Sequence, residues 1–193
     1  MFSGIIEKTA KAVKTEKNKN SIRVTLPTPS GWKLTLGESI NIDGVCSTVE
    51  KLDKKDFSVF YMQETLNKTS LNTLSITHVF NLEKCLTLNS LIGGHLVSGH
   101  VDTTAEIVNV IADGESKTLE FKIDPQFIKY IIYKGSICIN GVSLTIITVS
   151  KNSFSVSLIP HTLSHTNLGE LKKHDKVNIE VDMIAKYLEK LGK

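Results

Sequence analysis

Hydrophobic and polar positions alternate over short stretches along most of this chain. Ile22, Val24 and Leu26 are separated by Arg23 and Thr25, the period of two that marks a half-buried strand. Further β-type runs cover residues 39–42, 45–49 and 57–61, with turn residues between them at the spacing of a small sandwich or barrel. Asp43-Gly44 and Asn140-Gly141 each sit between apolar runs and predict tight hairpins. Residues 125–132 read as a short helix opened by Pro125, and Pro29-Ser30-Gly31-Trp32 gives a weaker version of that signal earlier on. The period changes at the end of the chain. Ile184, Tyr187, Leu188 and Leu191 recur at helical spacing, which predicts an amphipathic helix over 183–191. So short a helix is marginal alone, and its stripe is expected on its own barrel or on a neighbouring subunit.

The pattern occurs twice. Ser3-Gly4-Ile5-Ile6 returns as Ser98-Gly99-His100-Val101, and residues 39–48 return as 136–145. Across 37–71 against 134–168, 14 of 35 aligned positions are identical without a gap. Asn81-Leu82-Glu83 likewise returns as Asn178-Ile179-Glu180. A unit this long is a domain rather than a solenoid repeat. The expected organisation is a barrel over 1–94, a second over 95–182, and a helix over 183–193 that serves oligomerisation.

Composition narrows the classes of function. With 193 residues, 40% of them hydrophobic, the chain can bury a core. No apolar run reaches membrane-helix length, and the N-terminus turns acidic at Glu7 without a basic lead. A cytoplasmic protein that engages no membrane is expected. The lysines from Lys8 to Lys19 carry no interleaved aromatics and are expected as a solvated loop, not a nucleic-acid surface. Cys46, Cys85 and Cys138 are odd in number and far apart, which argues against a disulfide framework and a metal site.

Met1 to Glu7, Gly93-Gly94-His95-Leu96-Val97-Ser98-Gly99-His100-Val101-Asp102 and Asn140-Gly141-Val142-Ser143-Leu144-Thr145 together resemble the riboflavin synthase family. Residues 181–187 resemble it as well, so the likeness spans essentially the whole chain. It implies an all-β fold of two six-stranded Greek-key barrels plus a C-terminal α-helix, assembled as a homotrimer whose active site lies between barrels of neighbouring subunits. The implied reaction is dismutation of two molecules of 6,7-dimethyl-8-ribityllumazine to riboflavin and 5-amino-6-ribitylaminouracil, with no cofactor and no metal.

That reaction asks identical molecules to play different roles, so the repeats should differ where the chemistry is done. Ile5 stands opposite His100, Cys46 opposite Ser143, and Glu64 opposite His161. His100 suits removal of the substrate's C7-methyl proton. Ser143 or Cys46 suits addition of a nucleophile to C7 of the partner molecule. His100 and Ser143 are expected together on the donor side and Cys46 on the acceptor side. Asp182 joins the candidate catalytic set, although it also reads as the N-cap of the final helix. His95 reads either as a participant or as a residue that orders the glycine loop. The resemblance suggests substrate contacts at Gly4, Ile5, Ile6, Cys46, Thr48, Met62 and Thr65 in the first barrel. In the second it suggests Gly99, His100, Val101, Lys134, Ser143, Thr145, Ile159 and Thr162. Two departures stand out: Ser47 replaces a leucine usual in the family and is expected to loosen the first core, and His161 replaces a glutamate. The rival readings are a lumazine- or flavin-binding protein of the same fold without catalysis, and an oligonucleotide-binding barrel. The 6% aromatic content disfavours the second rival.

Overall fold

A computed structural model of the protein describes residues 1–73 and 77–192. The first half forms β1 (Lys8–Lys11), β2 (Lys14–Asn18), β3 (Ser21–Pro27), β4 (Ser39–Ile42), β5 (Val45–Leu52), β6 (Asp56–Met62), the helix α1 (Gln63–Lys68) and β7 (Val79–Lys84). The second half repeats this as β8 (Thr103–Asp113), β9 (Ser116–Lys122), β10 (Ser136–Ile139), β11 (Val142–Val149), β12 (Ser153–Leu158), α2 (Pro160–His165) and β13 (Lys176–Val181), and closes with α3 (Met183–Leu191). Pro125–Tyr130 forms a 3-10 turn rather than an α-helix, with Asp124 accepting from the Gln126 amide.

Strands β8 to β13 close a barrel in the order β10-β11-β12-β9-β8-β13. The first half has the order β1-β7-β4-β5-β6-β3-β2. It matches the second once β1 and β2 are taken as one strand interrupted at Ala12-Val13, the counterpart of the long β8. The lysine-rich stretch is therefore strand, not loop. Its backbone pairs with β7 on one side and β3 on the other, and such pairing leaves outward lysines in solvent. The repeat even keeps its irregularities: the register shifts at Val49/Lys51 and again at Ile146/Thr148.

Alternation fills each barrel. Val24, Leu26, Ile40, Phe57, Val59, Phe80 and Leu82 build the first core, and Ile107, Phe121, Ile137, Phe154, Val156 and Ile179 the second. Ser47 points into the first core, as expected, but does not loosen it. Its hydroxyl meets the Tyr61 hydroxyl at 2.7 Å and donates to the Val45 carbonyl at 2.9 Å. Leu144 and Leu158 hold the equivalent places in the second barrel, so a hydrogen-bonded pair replaces an apolar one.

The hairpins join the barrels. Asp43-Gly44 and Asn140-Gly141 both adopt positive φ, the type I′ geometry that matches strand twist, and the two turns abut. A Cβ on Gly44 would come within 3.0 Å of the Gly141 amide nitrogen. Around them Asn81 donates to the carbonyl of Asn140, Asn167 donates to Asp43, and Asn178 donates to the carbonyl of Asp43. His78 completes the group, 2.6 Å from the Asp43 carboxylate. Burial disfavours its charged form, but the Asp43 hydrogen bond and charge outweigh burial and raise its pKa above the ordinary histidine value.

Candidate active site

Each barrel keeps one strand whose outward face is not covered by its own fold. On β5, Val45, Ser47 and Val49 point inward, so Cys46 and Thr48 face out; on β11, Ser143 and Thr145 take the same positions. The faces are covered crosswise. The stretch before β1 crosses to the second barrel, where the Gly4 carbonyl accepts from the Ser143 amide at 2.7 Å and Ile6 packs on the second core. The stretch before β8 crosses to the first barrel, where the Gly99 carbonyl accepts from the Cys46 amide at 2.8 Å and Val101 packs on the first core. Phe2 and Val97 bridge where the two stretches meet.

Two buried carboxylates clamp these crossings. Glu83 accepts from the amide and hydroxyl of Ser3 and the amide of Gly4, and Glu180 accepts from the corresponding groups of Ser98 and Gly99 and the amide of His100. Burial pushes the Glu83 carboxyl above the usual carboxylate range against the pull of those donors. Gly99 is needed at its place: φ is +79°, and a Cβ there would meet Cys46 Cβ at 2.7 Å.

The crossing regroups the candidate residues. His100 lies beside Cys46, not Ser143, in an open pocket of about 240 Å³ lined by Val45, Cys46, Glu64, Thr65, Lys68, Thr69, Gly99, His100 and Val101. Gly4 and Ile6 lie against the second barrel with Ser143, Gly99, His100 and Val101 against the first with Cys46, and Ile5 borders a separate cavity with Glu83, Cys85 and Gly93. The expected grouping by position along the chain is corrected on both counts. Met62 and Ile159, at equivalent places before α1 and α2, are 67% and 58% exposed, which leaves an apolar surface at each rim. The carbonyls of Thr65 and Thr162 are already engaged by the hydroxyls of Thr69 and Thr166. Lys134 sits at φ +64° where the first copy has Gly37. A lysine in the left-handed region costs about 1–3 kcal/mol, and its ammonium lies 5.4 Å from the centroid of the Tyr133 ring.

Among the described residues, the Ser143 side chain has a hydrogen-bond partner that the Cys46 side chain lacks. His95 Nδ1 is 2.7 Å from Ser143 Oγ, and burial pulls the His95 pKa below the ordinary value although Asp182 and Glu180 oppose it. Burial therefore favours the neutral ring, which in the tautomer with Nδ1 bare can accept the serine proton. Asp182 caps α3 through the Ile184 amide at 2.9 Å while its charge bears on His95. The Glu83 and Glu180 clamps went unread in the sequence, although the repeated Asn-x-Glu was their trace. The crossing leaves no mark in composition or spacing.

The lumazine binding domain family matches this chain twice, over residues 3–85 and 98–182. The riboflavin synthase of Actinobacillus pleuropneumoniae is 41% identical over 98% of this chain and 88% of its own. That of Bacillus subtilis is 41% identical over 97% and 88%, and that of Escherichia coli 40% over 94% and 87%. Among solved structures, LumP complexed with riboflavin aligns with TM-score 0.87 at 27% identity, covering 94% of this chain and all of that one. LumP complexed with 6,7-dimethyl-8-(1'-D-ribityl) lumazine aligns with TM-score 0.84 at 24% identity, covering 94% and 99%, which speaks to fold.

Proposed function

Since the chain belongs to the riboflavin synthase family of duplicated lumazine-binding domains, we propose that its two crossed pockets divide the labour of that reaction. The enzyme converts two molecules of 6,7-dimethyl-8-ribityllumazine to riboflavin and 5-amino-6-ribitylaminouracil by transfer of a four-carbon unit. One molecule gives up the unit and the other receives it. The observation that carries the division is chemical asymmetry between equivalent places: Ser143 with a neutral His95 in one, Cys46 with His100 in the other.

In the Ser143 pocket, His95 Nδ1 takes the hydroxyl proton as Ser143 Oγ, or a water it orients, adds to C7 of the bound lumazine. In the Cys46 pocket, His100 takes a proton from the C7 methyl, and the electron pair of the broken C–H bond delocalises into the ring. Cys46 and Thr48 wall that ring from the strand side, and Asp182 positions His95. We assign substrate contacts on the Ser143 side to Gly4, Ile5, Ile6, Ile159, Thr145, Thr162 and Lys134, and on the Cys46 side to Gly99, Val101, Met62 and Thr65. General acid–base help of this kind contributes about 10²–10⁴-fold. Holding two rings face to face contributes more, on the order of 7–11 kcal/mol at best.

Facing the two rings requires two chains, and a homotrimer supplies them. Support comes from α3, where Ile184, Tyr187, Leu188 and Leu191 are 58–79% exposed and the stripe is free to be covered by a partner copy. The setting is cytoplasmic. Cys46, Cys85 and Cys138 are all free, as a reducing compartment keeps them, and no helix among the described residues is long and apolar enough to cross a membrane.

The decisive experiment mixes the purified protein with 6,7-dimethyl-8-ribityllumazine alone and follows riboflavin by absorbance and chromatography. One riboflavin for every two lumazines consumed is the expected result. Retention of a yellow fluorescent ligand without turnover would move the protein to the non-catalytic binders.

A further inference from the structure

We infer that Lys186, on the C-terminal helix, is a positioning residue that holds the His100 stretch in its working geometry. The inference rests on the role proposed above for His100. Its ground is a brace that, among the described residues, only the second repeat has. In both copies the residue two after Ile5 or His100 is a carboxylate that accepts from the end of the barrel's last strand: Glu7 from the Lys84 amide, Asp102 from the Val181 amide, both at 2.9 Å. Among the described residues, only in the second copy does a cation from outside the barrel complete it. Lys186 Nζ lies 2.7 Å from each oxygen of Asp102, and the pair is largely buried, its side chains 33% and 19% exposed.

The stretch is then gripped in series. The Ser98, Gly99 and His100 amides donate to Glu180, the Asp102 amide donates to the Ile179 carbonyl, and the Asp102 carboxylate is held between Val181 and Lys186. His100 sits between the two anchors. Its side chain and those of Met183, Lys186 and Tyr187 border one groove of about 300 Å³. The helix has no buried residue of its own; besides Lys186, Glu189 ties it to Lys129 and Tyr130. Whatever covers the apolar stripe fixes α3, and α3 fixes His100 through Lys186 and Asp102. Assembly and chemistry are thereby linked by one ion pair.

The test is a set of full-length variants assayed for riboflavin formation, with lumazine binding followed by fluorescence and association state by sedimentation. Lys186→Met is expected to keep the wild-type association state, to bind lumazine within a few-fold of wild type, and to lose kcat by roughly 10- to 100-fold, the scale of a misplaced catalytic group. Lys186→Arg should restore most of that loss. Asp102→Asn, whose amide oxygen still accepts from Val181, should reproduce it. In a His100→Ala background, Lys186→Met should cost almost nothing further. A Lys186→Met enzyme with wild-type kcat, a loss of association state that tracks the loss of activity, or full additivity with His100→Ala would each overturn the brace. Wild-type turnover in His100→Ala alone would instead remove the role given to His100.

Discussion

Because the chain holds two versions of one barrel, its own second half supplies the control for a stability experiment in its first. Ser47 and Tyr61 share a hydrogen bond of 2.7 Å in the first core, where Leu144 and Leu158 stand in the second. Burial lifts the Tyr61 phenol well above its usual range, so it stays a neutral donor. Ser47→Leu leaves that hydroxyl buried without a partner, which costs about 1–3 kcal/mol, and adds volume to a filled core for about 1–3 kcal/mol more. Tyr61→Leu removes a ring and leaves a void, at about 1–3 kcal/mol; Ser47 is not orphaned, since it still donates to Val45. The double variant recreates the second barrel's apolar pair and should lie within about 1.5 kcal/mol of wild type, as volume-conserving apolar exchange allows. Trp32 is the one tryptophan and packs on the first core, so its fluorescence during urea unfolding reports that barrel selectively. The coupling between the substitutions should be favourable and at least about 1 kcal/mol, within the range for contacting residues. Additive single costs, with a double variant as unstable as their sum, would refute the equivalence of the two pairs.

Three further outcomes are expected. Ser143→Ala and His95→Gln should each lower turnover by about 10²-fold, and their combination should fall little further, because the two act as one proton-transfer unit; steady-state assays of the three variants decide it. Stability should fall as pH rises from about 6.5, the unfolded histidine value, through the raised pKa of His78, because the folded state holds the proton that the unfolded state has lost. His95, shifted the other way, acts only below that window, and the raised Cys138 thiol only above it, so urea midpoints compared between about pH 6.5 and about pH 8 should lose most of their slope in His78→Gln. Leu188→Glu places a charge on the exposed stripe of α3 and should yield monomers by sedimentation, with riboflavin formation lost in parallel.

What the sequence made legible is what repetition and periodicity encode. The strands, the hairpins at Asp43-Gly44 and Asn140-Gly141, the final helix and the polar pairs Cys46/Thr48 and Ser143/Thr145 all follow from spacing that side-chain burial enforces. The crossing of the pocket stretches does not, because backbone donors and acceptors carry it. The Gly4 and Gly99 carbonyls, and the amides caught by Glu83 and Glu180, look the same in any sequence. The lysine-rich β1 and β2 were missed for the same reason: their pairing is main-chain, and their outward faces need no apolar residue.

The crossing also explains how duplication made a site with two unlike halves. Had each stretch stayed on its own barrel, a change in one repeat would have altered one pocket and its own cover together. Crossed, each strand face comes from one repeat and its cover from the other, so Cys46 with His100, and Ser143 with Gly4, are mixed pairs from the outset. His95 adds to this, because the linker between the barrels brings its imidazole to 2.7 Å from Ser143 Oγ. Two pockets on one scaffold thus diverge with few substitutions, which is what a reaction between two identical molecules requires.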